Sequence, residues 1–157
     1  MAKLEDVIKQ KTFKSEQQRA FIHVMVTNSW LNEYQKDFFK NFNISKQQYN
    51  AMRILRGQFP SGLSVNSVKD RMLDKMPDTS RLVDRLVSKA LVEREVNKTD
   101  RRATIITLTA KGVKLMDKID QDIHQIETLF DNLNEEEAEE LNRLLEKARN
   151  KRPLKIS

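Results

Sequence analysis

The sequence predicts a mainly α-helical fold with one small β-hairpin, and three observations support this fold class. The 157 residues include only three glycines and three prolines, so few turns interrupt the helical segments. Apolar residues recur at helical spacing through most of the chain, whereas residues 103–109 form a β-branched run that is typical of a strand. Because 38% of the residues are hydrophobic and 33% are charged, we expect a thin core and long helices that complete their burial against a second copy of the chain.

Serines mark the starts of the first three predicted helices. Residues 1–14 alternate lysines with apolar side chains, a pattern that leaves open a partly ordered arm or a short helix. Ser15 provides an N-cap for one long helix that ends near residues 41–43. Ser45 caps a second helix that stops at Gly57, and Ser64 caps a short third helix after a turn.

A fourth helix, predicted from Pro77 to Leu91, is the segment around which the chain is organised. At about 100° per residue, its apolar side chains fall in one stripe roughly 180° wide. Pro77 lies in the first turn, where a missing N–H costs little. The opposite face is polar and rich in arginine, and such a helix is suited to lying in a groove. The residues on or beside this face are Pro77, Asp78, Ser80, Arg81, Asp84, Arg85, Ser88 and Lys89.

Two short strands follow this helix, at residues 92–96 and 103–109. They are joined by a polar turn at residues 97–100, with Arg101 and Arg102 at the tip of the hairpin. A helix followed by a basic-tipped hairpin is the layout of a winged helix-turn-helix. The helix fits the major groove of DNA, about 12 Å wide, and an arginine on a loop reaches the narrow minor groove beside it.

The C-terminal third is predicted to be helical. Thr109 caps a helix expected to run to about Asp131, and Asn134 begins a capping box with Glu137 for a last helix. Apolar residues from 116 to 133 follow a 3-4-3-4-3 spacing, which is typical of a heptad seam. We interpret this seam, the first long helix and the last helix as a dimer interface. The seam residues are Met116, Ile119, Ile123, Ile126, Phe130 and Leu133.

The net charge of +6 is unevenly distributed along the chain. Residues 1–60 carry ten basic and five acidic side chains, residues 61–112 carry eleven and seven, and residues 113–157 carry eight and eleven. The positive excess in the first two thirds favours a polyanionic partner. The absence of cysteine excludes disulfides, thiolate metal sites and thiol-based redox sensing. The first residues form no apolar signal region and no run approaches 18 apolar residues, so we expect a cytoplasmic protein.

Five pieces of sequence, in order and at compatible spacing, resemble the MarR family of bacterial regulators. They are Leu63–Val65, Thr79–Leu86, Leu91–Arg94, Asp100–Ala103 and Leu108–Gly112, and the resemblance covers about residues 20–148. It implies one MarR-like domain over residues 1–157, with the winged lobe at about residues 45–109 and dimerisation helices at about 15–42 and 110–150. It also implies a homodimer that occupies a pseudo-palindromic operator in double-stranded DNA, as a repressor that blocks polymerase, without a cofactor.

The resemblance and the residue chemistry together give the DNA-contacting residues. Arginine bonds bidentately to guanine, and the base-reading candidates are Pro77, Asp78, Ser80, Arg81 and Arg85. In the wing, the resemblance implies that Arg102 enters the minor groove and that Asp100 holds it in position. Backbone phosphates are expected to meet basic residues and helix-start hydroxyls, namely Arg94, Lys98, Arg101, Ser45, Ser61 and Ser64.

Three positions depart from the family pattern, and at one of them Lys69 stands where relatives often carry a small residue. Asp78 adds an acidic group, and the sequence leaves open whether it rejects wrong bases or caps the helix. Ala90 stands where relatives often carry glycine, and it is expected to end its helix without a left-handed backbone conformation.

The family often binds small aromatic acids or other lipophilic anions between the dimer helices and the winged lobe. In this sequence the pocket for such an effector would be lined by His23, Trp30, Tyr34, Tyr49 and Met52. An aromatic stripe at helical spacing is more often part of the core.

An enzymatic function finds no support in the sequence. His23 and His124 are the only histidines, they lie on different predicted helices, and no metal-binding or phosphate-loop motif accompanies them. The alternative to a DNA-binding regulator is a protein-interaction module that kept the winged shape and lost DNA binding.

Overall fold

The computed structural model describes residues 3–73, 78–96 and 104–150. The chain divides into two compact units, residues 1–121 and residues 122–157. Within the described residues, no helix is both long enough and apolar enough to cross a membrane.

The first unit begins with two helices, α1 (Leu4–Ile8) and α2 (Glu16–Lys40), so the short-helix alternative for the N-terminal residues is correct. Ser15 caps α2 as predicted, because its hydroxyl accepts a hydrogen bond from the Gln18 N–H at 3.1 Å. At the other end of α2, Phe39 is buried and stacks on Tyr49 with ring centroids 4.5 Å apart. The C-terminal end of α2 is thereby fixed to the helix that follows.

Three short helices form the centre of this unit: α3 (Lys46–Arg56), α4 (Val65–Arg71) and α5 (Thr79–Ser88). Ser45 and Ser64 cap α3 and α4 as predicted, and the Gln48 side chain completes a capping box at Ser45. The three helices surround a common core of fully buried side chains, which includes Ala51, Met52, Val68, Val83 and Leu86.

A small antiparallel sheet packs beside these helices, with strands β1 (Leu63–Ser64), β2 (Val92–Val96) and β3 (Thr104–Leu108) in the order β1-β3-β2. The predicted hairpin is present in β2 and β3, where Val92 lies opposite Leu108. The additional strand β1 is absent from the sequence-based prediction, because two residues are too few to show a period. The three helices and this sheet, with β1 between α3 and α4 and the hairpin after α5, form a winged helix-turn-helix, which confirms the predicted fold class.

Helix α5 is shorter than its sequence predicts. Asp78 is the N-cap, Thr79 is the first helical residue, and the helix ends at Ser88 rather than Leu91. The predicted first-turn position, Pro77, lies outside the described residues. The predicted helix is too long because the apolar stripe continues through Leu91. Leu91 is buried, but it lies in the turn after the helix rather than in the helix.

Ala90 ends α5 in a left-handed conformation with φ of 56°, so the expectation that it avoids this conformation is wrong. The Ala90 N–H donates to the Val87 carbonyl at 2.8 Å, and the Leu91 N–H donates to the Leu86 carbonyl at 3.0 Å. This pair of bonds is a Schellman motif, in which the left-handed position usually holds glycine. An alanine there is less stable than glycine, because in the left-handed conformation its Cβ lies too close to the following carbonyl oxygen.

Ala90→Gly should therefore stabilise the protein by about 0.5–1 kcal/mol, because the alanine side chain is exposed and its removal leaves no cavity. Urea unfolding followed by circular dichroism measures the change as a higher midpoint. Ser88→Gly is the matched control: Ser88 lies within α5, so glycine there should cost up to about 1 kcal/mol. A lower midpoint for Ala90→Gly would contradict the assignment of strain to Ala90.

Helix α6 (Ala110–Asp122) is capped by Thr109, as predicted. The Thr109 hydroxyl accepts from the Gly112 N–H at 3.0 Å and donates to the Ala90 carbonyl at 2.7 Å, which joins the start of α6 to the end of α5. Met116 and Ile119 are 1% and 0% exposed within the single chain. The predicted heptad seam is therefore wrong in its first two positions, since these side chains belong to the core of the first unit.

The helix predicted to continue to Asp131 is interrupted. The second unit contains α7 (His124–Glu127), a 3-10 helix (Thr128–Phe130) and α8 (Glu135–Arg149). Asn134 and Glu137 form the predicted capping box of α8. On α8, a hydrogen bond from Arg143 lowers the pKa of the Glu140 carboxyl. None of the residues of α8 is fully buried, and Ala138, Leu141 and Leu145 on its apolar side are half-buried.

Candidate nucleic-acid interface

Helix α5 has one buried face and one exposed face, as its sequence predicts. Leu82, Val83 and Leu86 are 6%, 0% and 0% exposed, and they fix the helix to the core. The opposite side chains, including Ser80, Arg81 and Arg85, are exposed. The structure thus brings four of the five predicted base-reading residues, Asp78 included, to one surface.

Asp78 caps α5, which is one of the two roles that the sequence leaves open for it; rejection of wrong bases stays a prediction. The Arg81 N–H donates to Asp78 Oδ1 at 2.9 Å. Arg81 Nε lies 4.0 Å from Asp78 Oδ2, and the two side chains are 73% and 56% exposed. An exposed pair at this distance contributes little. Asp78 therefore stabilises the helix start, and the guanidinium of Arg81 remains accessible on the surface.

Arg94, predicted to contact phosphate, makes an ion pair within the chain. Its Nη2 lies 2.7 Å from Asp84 Oδ1, and the same nitrogen is 3.5 Å from the Ser80 carbonyl oxygen. Since Arg94 is on β2 and Asp84 on α5, the pair joins the wing strand to the exposed face of the helix. Any contact with phosphate would have to be shared with this ion pair.

The serines predicted to contact phosphate differ in how their hydroxyls are used. Ser45 Oγ accepts from the Gln48 N–H at 3.1 Å, which leaves its O–H to donate to a further acceptor. Ser64 Oγ accepts from the Ser67 N–H and also bonds the Ser67 hydroxyl. Ser61 is exposed in the turn before β1. Ser45 and Ser61 are therefore better placed than Ser64 to donate to an external phosphate.

Asn50 supports the interface and was missed by the sequence-based reasoning. Its side chain is 7% exposed, and its Oδ1 accepts from the Leu73 N–H at 2.9 Å. This bond anchors the segment that leads into α5 to helix α3. The available signal was a polar residue between Tyr49 and Met52 in the apolar pattern of α3.

Several predicted contacts lie outside the described residues. They are Pro77 before α5, Lys98 between β2 and β3, and the predicted wing residues Asp100, Arg101 and Arg102. Their roles remain predictions. What the structure describes is the frame that carries the wing, namely β2 and β3 paired from Val92 to Val96.

The arrangement of helices and sheet matches solved structures of one family. The chain is similar to a MarR transcription factor from Planctomyces limnophilus, with 33% identity over 86% of this chain and 98% of that chain, and a TM-score of 0.66. The chain belongs to the MarR family. This MarR-family chain is also 25% identical to the transcriptional regulator MhqR of Bacillus subtilis, over 74% of this chain and 80% of MhqR.

A further relative has been solved with its nucleic acid. This MarR-family chain is 26% identical to MepR of S. aureus in a MepR–DNA complex, over 82% of this chain and 94% of that chain, with a TM-score of 0.72. No family model matches the sequence. The relatives are transcription regulators and not enzymes, which confirms the expectation that the chain is not an enzyme.

The five predicted effector-pocket residues of this MarR-family chain differ in their surroundings within the single chain. Met52 is 0% exposed and belongs to the core, so it is a wrong assignment for a ligand contact. Tyr49 is packed on Phe39, and His23 is exposed on α2. Trp30 and Tyr34 meet edge to face with centroids 5.3 Å apart, and both are partly exposed.

A cavity of about 480 Å³ is present elsewhere, between the end of α2 and the start of α3, and none of these five residues lines it. Among the described residues, no group of three or more histidine, aspartate or glutamate side chains is placed to hold a metal ion.

Proposed function

We propose that this MarR-family protein is a homodimeric regulator that binds a pseudo-palindromic operator in double-stranded DNA and represses transcription by occupying it. The observation that carries the proposal is the exposed face of α5. Arg81 and Arg85 project from a helix whose other face is fully used by the core. Arginine forks on a rigid helix are suited to bidentate contacts with guanine in the major groove.

The position of the wing supports the same function. The Asp84–Arg94 ion pair holds strand β2 against α5, so the hairpin that carries Arg101 and Arg102 starts beside the arginine face. Two such lobes related by a twofold axis would place two helices in successive major grooves, about 34 Å apart. The MepR–DNA complex of S. aureus adds support, because MepR is a relative at 26% identity.

Duplex binding should be specific and strongly dependent on salt. Selection from a random duplex library yields the operator, and fluorescence anisotropy then measures Kd as a function of salt concentration. The logarithm of affinity should fall linearly with the logarithm of salt, with a slope near −0.9 for each phosphate contacted. Absence of any duplex binding at low salt would reject this function in favour of a protein-interaction module.

The dimer is supported by apolar surface that the single chain leaves uncovered. On α2, Phe21 is 65% exposed, Val24 49% and Met25 55%. In the second unit, Phe130 and Leu144 are 39% and 47% exposed. Side chains of this size lose favourable burial when exposed, so a second copy is the natural cover for both sets.

Met25→Glu should dissociate the dimer, because a carboxylate would be placed in the apolar contact without a partner. We expect the dimer dissociation constant to rise by at least about 100-fold, and operator affinity to fall with it as bivalent binding is lost. Sedimentation velocity over a concentration series measures the change. Gln58→Glu, which adds the same charge in the exposed turn after α3, should leave the dimer intact. A Met25→Glu protein that stays dimeric at nanomolar concentration would exclude α2 from the interface.

The proposal includes a small aromatic or other lipophilic anion as effector. Its support is the partly exposed Trp30–Tyr34 pair on α2, which offers aromatic surface next to polar groups. If a ligand on this surface changes the separation of the two winged lobes, aromatic carboxylates added to the duplex titration will weaken operator binding. Unchanged operator binding would reject this effector site.

A further inference from the structure

The cavity of about 480 Å³ lies where three helices meet. The C-terminal half of α2 contributes Lys36 and Lys40, the start of α3 contributes Ser45 and Lys46, and the end of α5 contributes Lys89. These residues are far apart in the sequence, and only the packing of α2, α3 and α5 brings them together.

The lining of this cavity is strongly cationic. Four lysines line it, and none of its described lining residues is an aspartate or a glutamate. Lys89 Nζ donates to the Asn43 carbonyl oxygen and to Gln48 Oε1, which are both uncharged acceptors. Lys46 Nζ donates to Asn32 Oδ1 at 2.6 Å. Within the described residues, Lys36 and Lys40 make no ion pair, so the charge of these two lysines is available to a ligand.

A cluster of ammonium groups in one cavity raises its own electrostatic energy, and a bound anion lowers it. The first turn of α3 adds the positive end of a helix dipole, while its capping box already uses the Ser45 N–H and the Gln48 N–H. The Ser45 O–H and the lysine ammoniums therefore remain as side-chain donors for a ligand. Several flexible ammonium groups suit a compact, highly charged oxyanion such as phosphate.

We propose that this cavity is a phosphate-binding site formed by Lys36, Lys40, Lys46 and Lys89. The phosphate has two sources with the same chemistry: a free phosphate or phosphate monoester, and a backbone phosphate of DNA outside the base-reading contact. Lys89 lies one helical turn beyond Arg85 on α5, about 6 Å along the axis, so a duplex held by Arg81 and Arg85 runs close to the cavity. The second source rests on the proposed DNA-binding function, and the first does not.

The test uses the full-length protein and one double variant, Lys36→Gln with Lys40→Gln. Both side chains are exposed on α2, so the variant should fold normally. The charge-matched control is Lys114→Gln with Lys147→Gln, which removes two exposed lysines that do not line the cavity. Isothermal titration calorimetry with inorganic phosphate, at ionic strength held constant with chloride, examines the free source. The affinity of a selected operator duplex and of the same duplex extended by about five base pairs at each end examines the DNA source.

If the ligand is free phosphate, wild-type protein and the control should bind phosphate, and the cavity variant should bind it at least about 10-fold more weakly. If the ligand is a backbone phosphate of DNA, wild-type protein should bind the extended duplex more tightly than the short one. The cavity variant should bind the two duplexes with equal affinity. If neither measurement separates the cavity variant from the control, the site is rejected. If no duplex binds at all, the proposed DNA function fails, and phosphate calorimetry alone decides whether the cavity is a site.

Discussion

Arg81→Ala should weaken binding to the selected operator by roughly 30-fold to 10⁴-fold. A good bidentate arginine–guanine contact contributes about 1–3 kcal/mol against the wrong base, and a dimer presents two such arginines. Arg81 is 73% exposed and its backbone N–H, not its guanidinium, holds the helix cap. The substitution should therefore leave the unfolding midpoint nearly unchanged, so a loss of binding reports contact with DNA rather than loss of fold.

Arg81→Lys separates base reading from charge. Lysine keeps the positive charge but lacks the planar fork, so the variant should keep the salt dependence of binding while its preference for the operator over a scrambled duplex falls. Lys98→Ala, at a predicted phosphate contact, should instead weaken both duplexes about equally. Equal losses on both duplexes from Arg81→Lys would show that Arg81 contacts phosphate, and the base-reading assignment would have to move to Arg85.

Gly112→Ala should destabilise the protein by about 3 kcal/mol, which is the upper range for overpacking a buried site. A Cβ at Gly112 would overlap the Leu91 carbonyl oxygen, which is a backbone atom and cannot rotate away. The clash would push α6 from the Schellman turn, where the Thr109 hydroxyl donates to the Ala90 carbonyl and the Thr109 N–H donates to the Leu91 carbonyl. Differential scanning calorimetry should show a midpoint lower by about 6–12 °C for a chain of this size.

Gly57→Ala is the matched control for this prediction. Gly57 has φ of −63°, and the nearest atom to a Cβ there is the Ile54 carbonyl oxygen at 3.6 Å, an ordinary contact. Alanine should be neutral or stabilising by up to about 1 kcal/mol at this position. If Gly112→Ala unfolds at the wild-type temperature, the close approach of α6 to Leu91 is not a feature of the folded protein in solution.

Local chemistry explains which parts of the fold could be predicted from the sequence. Ser15, Ser45, Ser64, Thr109 and Asn134 mark five helix starts correctly, because an N-cap depends on a side chain and a backbone N–H only three residues apart. The two faces of α5 are equally local, since a 3.6-residue period determines them. The hairpin follows from a β-branched run after a polar turn.

Errors arise where a residue's environment comes from distant segments. Met116 and Ile119 fit a heptad seam, yet they are buried in the first unit, because spacing identifies an apolar face without identifying what covers it. Met52 fits an aromatic-lined pocket for the same reason and is instead a core residue. Strand β1 exists only because Leu63 pairs with Ile106 across more than forty residues of sequence.

The sequence by itself determined the winged helix-turn-helix class, the helix caps and the arginine face of α5, because these depend on residues within one or two turns of each other. Only the tertiary structure decided that Asp84 pairs with Arg94, that Gly112 touches Leu91, and that lysines of α2, α3 and α5 share one cavity. Those contacts join residues from 10 to more than 40 positions apart, and the packing of the core, which no local period encodes, sets their distances.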